Sequence, residues 1–484
     1  MFGNVTVSMI LAILPEISLL VLAAVVMLMD LLWDEERRRN LGWLTAGGLG
    51  LILVVSLAVA RPGLESVSIW GGMLRQDWLS FVFKMLFIFG AGITALFAMD
   101  MKDLGRRGEF YLLLLISTLG MNLMASAGDL ILLYIAIETT SIPLYILAGF
   151  FKRDTKSTEA GFKYLLFGAL TSTIMLYGFS LLYGFTGTTD YTALTQLVLS
   201  GAVPLSLALG VLLLVLVGFG FKVSVVPFHF WAPDVYEGAP TPVAGFLSTA
   251  SKAAGFAVLM RVLLLAFPVT VPYWAAILAA LSTASMTLGN ALALAQRNIK
   301  RMLAYSSIAH AGYALIGVAA VSTVLGVTSA VFYLLIYVIT NLAAFGVVAA
   351  FSRVSGSDEI ADYAALSRRS PGLALIMLIA FLSLAGMPPF GGFVAKVFVF
   401  AAAVRSNLVW LAMIGVLNSI VGLYYYLIVL KVVYLYRSED EDQPVPLTRP
   451  YALALVVLTA GVILFGTVFA PWFGWSQVAA LALF

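Results

Sequence analysis

Five lysines lie inside long apolar stretches of this 484-residue sequence: Lys84, Lys163, Lys222, Lys252 and Lys396. A lysine at the centre of a membrane-spanning helix costs roughly 2.5 to 3.5 kcal/mol on insertion scales. The protonation state of a lysine responds readily to burial, whereas an arginine stays charged. A buried set made only of lysines is therefore typical of groups that take up and release protons.

A purely structural interpretation of these lysines stays open. Each ammonium could reach the membrane surface along its flexible stem or form a static ion pair. That alternative fits Lys84, which lies about one-third of the way into its stretch, and Lys163, which lies close to a basic edge. Lys222, Lys252 and Lys396 lie too deep to reach the surface easily, so we expect these three to transfer protons.

One acidic residue and one histidine extend this set. Glu138 lies near the middle of LLYIAIETTSIPLYILAG, and His310 lies at a similar depth in AYSSIAHAGYALIG. A carboxylate in the membrane is either protonated or paired, so we expect Glu138 to pair with a deep lysine and to act as a switch. Histidine titrates near neutrality, which suits His310 to a proton relay. The alternatives are a static ion pair and a hydrogen-bonded core histidine, and we expect His229 to line the cytoplasmic mouth.

The composition defines the elements that must position these groups. Apolar residues make up 62% of the chain and charged residues 11%, whereas soluble domains are about 25% charged. The sequence therefore predicts an all-α polytopic protein in a lipid bilayer. It contains no cysteine, which excludes a thiolate metal site or a cysteine-held iron–sulfur cluster. We expect no cofactor and no metal in this chain, and the net charge of +3 does not indicate nucleic acid.

Hydropathy divides the chain into fourteen candidate spans, since a spanning helix needs about 20 mostly apolar residues. Their expected extents are 8–29, 41–60, 78–99, 110–127, 129–151, 160–185, 204–231, 242–267, 272–295, 302–321, 325–352, 372–403, 408–430 and 451–472.

The basic residues of the connecting loops alternate with these spans. Of 27 lysines and arginines, 18 fall in loops on one side and only four on the other. Those four are Arg61, Arg75, Arg261 and Arg405. Arg261 lies near the end of the expected span 242–267 and is counted with the loop that follows, so no arginine is expected deep inside a span. Because cytoplasmic loops carry the excess of basic residues, both termini are predicted to lie on the periplasmic or equivalent side.

Prolines interrupt two of the spans: Pro227 lies in the seventh, and Pro388 and Pro389 lie in the twelfth. Interrupted helices at matching places in two halves indicate a transport site between repeats. The offset of five spans is odd, which predicts that spans 4 to 8 and spans 9 to 13 are inverted repeats. We therefore expect a three-helix segment at 1–109, five-helix repeats at 110–267 and 272–430, and a C-terminal helix at 451–484.

Several stretches of the chain resemble one known family. They are KVSVVPFHFWAPDVYEGAPTPVAGFLSTASK, NIKRMLAYSSIAHAGY and MPPFGGFVAKVFVF, together with Glu138 in span five and Lys163 in span six. The sequence resembles the antiporter-like membrane subunits of respiratory complex I over nearly its whole length. Within that family it is most similar to subunit N, also called subunit 2, because span twelve carries a lysine and the chain ends soon after span fourteen.

The resemblance implies a proton-translocating subunit of NADH:quinone oxidoreductase, a complex whose other membrane-arm subunits would be the partners. Glu138 and Lys222 would form the coupling pair, and Lys163 and Lys252 would relay protons. Lys396 would then pass the proton outward. A subunit of a multi-subunit cation/proton antiporter or of a membrane-bound hydrogenase is the alternative, and a purely structural membrane scaffold is a third.

Overall fold

The computed structural model describes residues 6–439 and 441–484, and helices dominate the chain. The N-terminal region contains α1 (Val7–Ala12), α2 (Leu14–Leu32), α3 (Leu41–Val59), α4 (Trp78–Ala98) and α5 (Lys102–Gly105). A short antiparallel hairpin of β1 (Val67–Ile69) and β2 (Leu74–Gln76) precedes α4.

The next region corresponds to the first expected repeat. Its helices are α6 (Gly108–Ser126), α7 (Leu130–Ala148), α8 (Thr155–Thr186), α9 (Tyr191–Leu199), α10 (Leu205–Val223), α11 (Trp231–Gly238), α12 (Thr241–Phe246) and α13 (Lys252–Ala266). A π-helical turn, Leu247–Ser251, joins α12 to α13 in one rod.

The second expected repeat and the C-terminal region follow. The helices are α14 (Val271–Leu294), α15 (Ile299–Ala319), α16 (Val324–Ser355), α17 (Leu366–Arg369), α18 (Pro371–Ala385), α19 (Gly391–Arg405), α20 (Val409–Leu435), α21 (Arg449–Thr467) and α22 (Ala470–Leu481). The region expected to hold one C-terminal helix thus holds two.

The predicted all-α polytopic membrane fold is confirmed. In the described part of the chain, thirteen helical segments are long and apolar enough to cross a membrane. The stretch expected as one twelfth span consists of two shorter helices, α18 and α19, with Pro388 and Pro389 between them. The largest differences from the expected bounds are at two places: the first span begins at Leu14 instead of residue 8, and α10 ends at Val223 instead of reaching residue 231.

Side-chain burial separates the core helices from those that face outward. Residues 326–351 of α16 are all buried, and α4 and α15 are buried over most of their length. By contrast, α2, α3, α8 and α20 each carry exposed large apolar side chains. Apolar surface of this kind is suited to hydrocarbon, so the core helices form a centre that the others enclose.

The two halves share local features at a constant offset of 169 residues. Asp129 and Asn298 are the residues directly before α7 and α15, and each side chain accepts hydrogen bonds from two backbone N–H groups of the first turn. Each of these residues also forms an antiparallel bridge, with Asp190 and with Glu359 respectively. Such caps satisfy the free N–H groups of a helix start. These features support a repeat, and its inverted orientation stays a prediction.

The long helices and the broken helices of the two halves also match. Both α8 and α16 have 32 residues and end at a glycine in the left-handed conformation, Gly187 or Gly356. Both α10 and α18 end at a left-handed residue three positions before a proline, Ser224 before Pro227 and Gly386 before Pro389. Because proline has no N–H and left-handed residues end helices, the sequence stops both helices at matching places.

Candidate functional site

Lys222 lies in the last turn of α10 and is 6% exposed. Its ammonium donates a hydrogen bond of 2.5 Å to the hydroxyl of Ser141 on α7. Glu138 lies one helical turn before that serine and accepts a hydrogen bond from Ser172 on α8. Separate serines hold the two groups, which form no direct ion pair in the described part of the chain, and their expected pairing stays a prediction.

The broken end of α10 has partners for its free backbone groups. The carbonyl of Phe221 accepts a hydrogen bond of 3.2 Å from the indole of Trp231, and the N–H of Val226 donates to the hydroxyl of Ser285. The indole of Trp231 also stacks on the Tyr164 ring, with 4.4 Å between centroids. These contacts satisfy groups that a helix end leaves free and fix the backbone that carries Lys222.

Lys252 begins α13 directly after the π-helical turn and is 1% exposed. Its ammonium donates two hydrogen bonds of 2.9 Å to Ser307 on α15, one to the carbonyl and one to the hydroxyl. Turns of the π type are rare and often occur at functional sites. Here the turn lies directly before Lys252, whose hydrogen bonds to Ser307 connect a helix of the first half with a helix of the second.

Lys396 lies on α19 and is 6% exposed. Its ammonium donates to the carbonyl of Ala385 at 2.9 Å and to the hydroxyl of Ser419 at 2.7 Å. The Tyr313 ring also lies 4.7 Å from the ammonium, a favourable distance for a cation. Gly386 has a φ of 88°, and a Cβ there would lie 2.8 Å from the Lys396 side chain. The break between α18 and α19 thus supplies both a free carbonyl and room for the lysine.

His310 is buried between two tyrosines of the second half. Its Nδ1 lies 2.6 Å from the Tyr333 hydroxyl, and its Nε2 lies 3.3 Å from the Tyr426 hydroxyl. The Tyr426 hydroxyl also bonds to Ser306, the neighbour of the serine that holds Lys252. His310 and Lys396 line the same cavity of about 10 Å³, enough for about one water molecule. The structure thus brings His310 between Lys252 and Lys396.

Lys163 differs from these buried groups, because its side chain is 34% exposed. Its ammonium lies 2.6 Å from Asp234 of α11 and 2.6 Å from Glu159 of its own helix. Arg301 of α15 binds the other Asp234 oxygen at 2.7 Å and also binds Glu237 at 2.8 Å. Lys163 therefore belongs to an ionic cluster at the ends of α8, α11 and α15.

The two carboxylates of α11 lie outside the spanning segments, and both are held in the charged form. Burial alone would raise the pKa of Asp234, but hydrogen bonds from Lys163 and Arg301 and the charges of both residues outweigh it. The pKa of Asp234 consequently lies below its ordinary value. The pKa of Glu237 is lowered in the same way by Lys156 and Arg301, against the opposing effect of burial.

His229 lies in the turn between α10 and α11 and is buried. Its ring packs against Phe230, with 4.5 Å between centroids, and burial lowers the pKa of its imidazole. It lies outside the ionic cluster around Asp234. The expected place at the mouth stays a prediction.

Two further basic residues form buried ion pairs. Lys84 of α4 lies 2.7 Å from Glu16 of α2. Arg261 was expected in a loop, yet it lies in α13, is 1% exposed and makes two hydrogen bonds to Asp77 at 2.7 and 2.8 Å. The expectation that no arginine is buried was therefore wrong. Loop charge alone did not reveal Asp77, whose carboxylate matches the planar guanidinium.

The 169-residue offset relates the site residues of α7 and α15. Glu138 matches Ser307, and Ser141 matches His310. Each helix thus carries one titratable group and one serine three residues apart, in opposite order. The serines bind lysines from elsewhere, since Ser141 binds Lys222 and Ser307 binds Lys252.

Sequence reasoning missed the hydroxyl groups that hold the site together: Ser141, Ser172, Ser307, Tyr333, Ser419 and Tyr426. A signal exists for two of them, because residues three apart share one face of a helix. Ser141 follows Glu138, and Ser307 precedes His310, by that spacing. The others come from distant segments. Within residues 6–439 and 441–484, no group of three or more histidine and acidic side chains is suited to a metal ion.

Comparisons with known proteins identify the family to which the chain belongs. Residues 127–422 match the transmembrane family described as NADH:quinone oxidoreductase/Mrp antiporter. The chain is 43% identical to the NADH-quinone oxidoreductase subunit N of Moorella thermoacetica, over 94% of this chain and 95% of that protein. It matches a chain of respiratory complex I from Thermus thermophilus with a TM-score of 0.80 and 34% identity, covering 95% of this chain and 98% of that one.

A chain of the Mrp complex from Dietzia sp. shares the fold at 22% identity, with a TM-score of 0.87 over 99% of this chain and 98% of the other. The same architecture thus occurs in both branches of the family, and the higher sequence identities lie with subunit N. This chain is a multi-pass integral membrane protein that belongs to the NADH:quinone oxidoreductase/Mrp antiporter transmembrane family, among the subunit N proteins.

Proposed function

We propose that this chain is a proton-translocating membrane subunit of an NADH:quinone oxidoreductase complex, with the other membrane subunits of that complex as partners. The observation that carries the proposal is how Lys222, Lys252 and Lys396 are held. All three ammonium groups are buried and bound to serine hydroxyls or backbone carbonyls. None of them forms an ion pair with a carboxylate in the described parts of the chain. Such lysines can lose a proton without leaving a carboxylate unpaired beside them.

The proposed route begins at the ionic cluster, where the side chains of Lys163 and Asp234 are partly exposed. It continues to Lys222 and then to Lys252. From there it passes along Tyr426 and His310 to Lys396. Tyrosine hydroxyls and imidazole both donate and accept hydrogen bonds, so they suit a relay between lysines. With both termini on the periplasmic or equivalent side, the exit beyond Lys396 lies on that side.

Glu138 gives the route a switch. When its carboxylate is close to Lys222, the charged lysine is stabilised. When the carboxylate moves away, the lysine loses that support in a low-dielectric site, and a change of one pKa unit corresponds to about 1.36 kcal/mol. Conformational change in a neighbouring subunit would drive this movement. Electron transfer would take place in other subunits, since this chain would hold no cofactor.

The substitution Lys222→Arg tests the proposal, because arginine keeps the positive charge but does not release its proton. The matched control is Lys300→Arg, since Lys300 is also buried but lies 3.0 Å from Asp358. Both variants should assemble into the complex. We expect Lys222→Arg to lower proton pumping by about tenfold or more, equivalent to at least about 1.4 kcal/mol, while Lys300→Arg pumps nearly normally. Pumping by Lys222→Arg at the wild-type rate and proton-to-electron ratio would overturn the proposal.

A further inference from the structure

Two serines separate the groups that the proposed switch must bring together. Ser172 of α8 donates a hydrogen bond to the Glu138 carboxylate. Ser141 of α7 accepts from the Lys222 ammonium at 2.5 Å and donates its own proton to the carbonyl of Ile137. Both charged groups therefore have a hydroxyl partner while they remain apart from each other.

One cavity connects the two serines. Ser141, Ser172 and Lys222 line it together with Thr171 and Tyr145, and its volume is about 10 Å³. A water molecule needs about that much space and two to four polar partners. The Ser141 and Ser172 hydroxyls have already donated their protons, to Ile137 and Glu138, so each would accept a hydrogen bond from the water. The Lys222 ammonium has three N–H donors and can donate one to the water. The space between the serines thus suits a single bridging water.

We propose that Ser172 and Ser141 are positioning residues that hold Glu138 and Lys222 apart, with one water bridging the two serines. This inference rests on the proposed function. Ser172 stabilises the carboxylate in its position away from the lysine, because hydrogen bonds to ionised groups are stronger than those between neutral groups. Ser141 does the same for the ammonium. Closing the pair exchanges these two hydrogen bonds for one direct ion pair.

The two serines act on one equilibrium, between the open form and the closed ion pair, and both favour the open form. Ser172 binds the negative group and Ser141 binds the positive group. Removing either hydroxyl leaves the open form without one of its charge-assisted hydrogen bonds, while the closed ion pair keeps its contact. The variants should therefore favour the closed pair. Lys222 would then stay protonated beside Glu138, and its release of a proton to the next group would slow.

The chain offers a control beside each serine. Thr173 directly follows Ser172, and Thr139 lies two residues before Ser141. Both threonines face outward, and each hydroxyl donates a hydrogen bond to a backbone carbonyl of its own helix. We expect Ser172→Ala and Ser141→Ala to lower proton pumping by the assembled complex in vesicles by about tenfold, as loss of one hydrogen bond to a charged group predicts. Thr173→Ala and Thr139→Ala should pump normally.

Infrared spectroscopy supplies a second readout that a purely structural serine would not change. The carboxyl band that disappears in Glu138→Gln identifies Glu138. That band should shift in Ser172→Ala and should return in Ser172→Thr, which restores the hydroxyl and pumping. If Ser172→Ala does not assemble, Ser172→Cys replaces it, because a thiol keeps the volume but is only a weak donor.

The outcomes separate this inference from the proposed function. If the serine variants pump and absorb as the wild type does while Lys222→Arg blocks pumping, the serine bridge is wrong and the proposed function stands. If Lys222→Arg also pumps normally, the proposed function is wrong as well. Slowed pumping with a shifted Glu138 band, both restored by threonine, supports the bridge.

Discussion

Two classes of basic residue in this molecule have different partners. In the paired class the partner is a carboxylate, as in the pairs Lys84 with Glu16, Lys163 with Asp234, Arg261 with Asp77 and Lys300 with Asp358. In the central class, which consists of Lys222, Lys252 and Lys396, the partners are hydroxyl and carbonyl oxygens.

This difference separates fixed charges from charges that can be given up. A lysine that loses its proton beside a buried carboxylate leaves that carboxylate unpaired, and breaking a buried pair costs about 3 to 5 kcal/mol. A lysine held by a serine leaves only a neutral hydrogen bond when its proton departs. Burial alone therefore does not separate the two classes of basic residue, whereas the chemistry of the partner does.

The largest effect is expected where the buried pair of Arg261 and Asp77 is broken, which leaves Arg75, at 3.3 Å, as the remaining basic partner of Asp77. Arg261→Met leaves the Asp77 carboxylate buried and removes the hydrogen bond to the carbonyl of Ala125. We expect a loss of about 3 to 5 kcal/mol in stability, measured as a lower unfolding temperature or failed assembly. Arg405→Met, which removes an exposed arginine, is the control. An Arg261→Met protein as stable as this control would contradict a structural role for the pair.

In the central class, replacing a lysine by arginine should lower proton pumping and leave the stability of the fold nearly unchanged. Lys252→Arg keeps the charge beside Ser307, but the guanidinium stays protonated and cannot pass its proton on. We therefore expect pumping to fall by about tenfold or more. Lys84→Arg keeps its ion pair with Glu16 and should pump nearly normally. Proton uptake by vesicles containing the assembled complex measures both. Equal loss of pumping in the two variants would show that the type of partner does not distinguish the classes.

The sequence predicted the central class better than it predicted what holds it. Depth in an apolar stretch identified Lys222, Lys252 and Lys396, because hydropathy depends on neighbours along the chain. The contact between Lys222 and Ser141 joins residues 81 positions apart, and no local pattern contains it. The pairing expected between Glu138 and Lys222 considered charge alone and omitted the hydroxyls that compete for both groups.

The helical segments were also predictable, because they too depend on residues that are neighbours along the chain. Contacts between distant helices were not predictable in this way. Apolar length and loop charge gave the helical segments, and proline gave the ends of α10 and α18. The burial of Arg261 was missed because the loop tally assigned each arginine to a surface by its nearest span end. Only packing of α13 against the start of α4 brings Asp77 to that side chain.

A smaller effect is expected at the partly exposed cluster. Asp234→Asn removes the charge that holds Lys163 and Arg301, so α11 keeps only the pairs of Glu237 as its ionic link to α8 and α15. Pairs that reach water contribute up to about 1 kcal/mol each, so we expect a modest fall in the unfolding temperature and at most a few-fold loss of pumping. Glu359→Gln, which changes an exposed carboxylate, controls for the loss of one negative charge. If both variants lose equal stability, the cluster has no specific role.

The smallest effect is the pH dependence of that cluster. The pKa of Asp234 is lowered in the folded chain, so the unfolded chain, with its ordinary value of about 3.9, binds the proton more readily. The stability that Asp234 contributes is therefore fully present above about pH 4 and is lost as the pH falls through the lower folded value. The difference in unfolding temperature between wild type and Asp234→Asn should stay constant from about pH 7 to pH 5 and shrink below about pH 4. A difference that shrinks between pH 7 and pH 5 would contradict this prediction. It would mean that burial, which raises the pKa of Asp234, outweighs the opposing effect of Lys163 and Arg301. Asp234 would then not belong to the class of charges fixed by an ion pair.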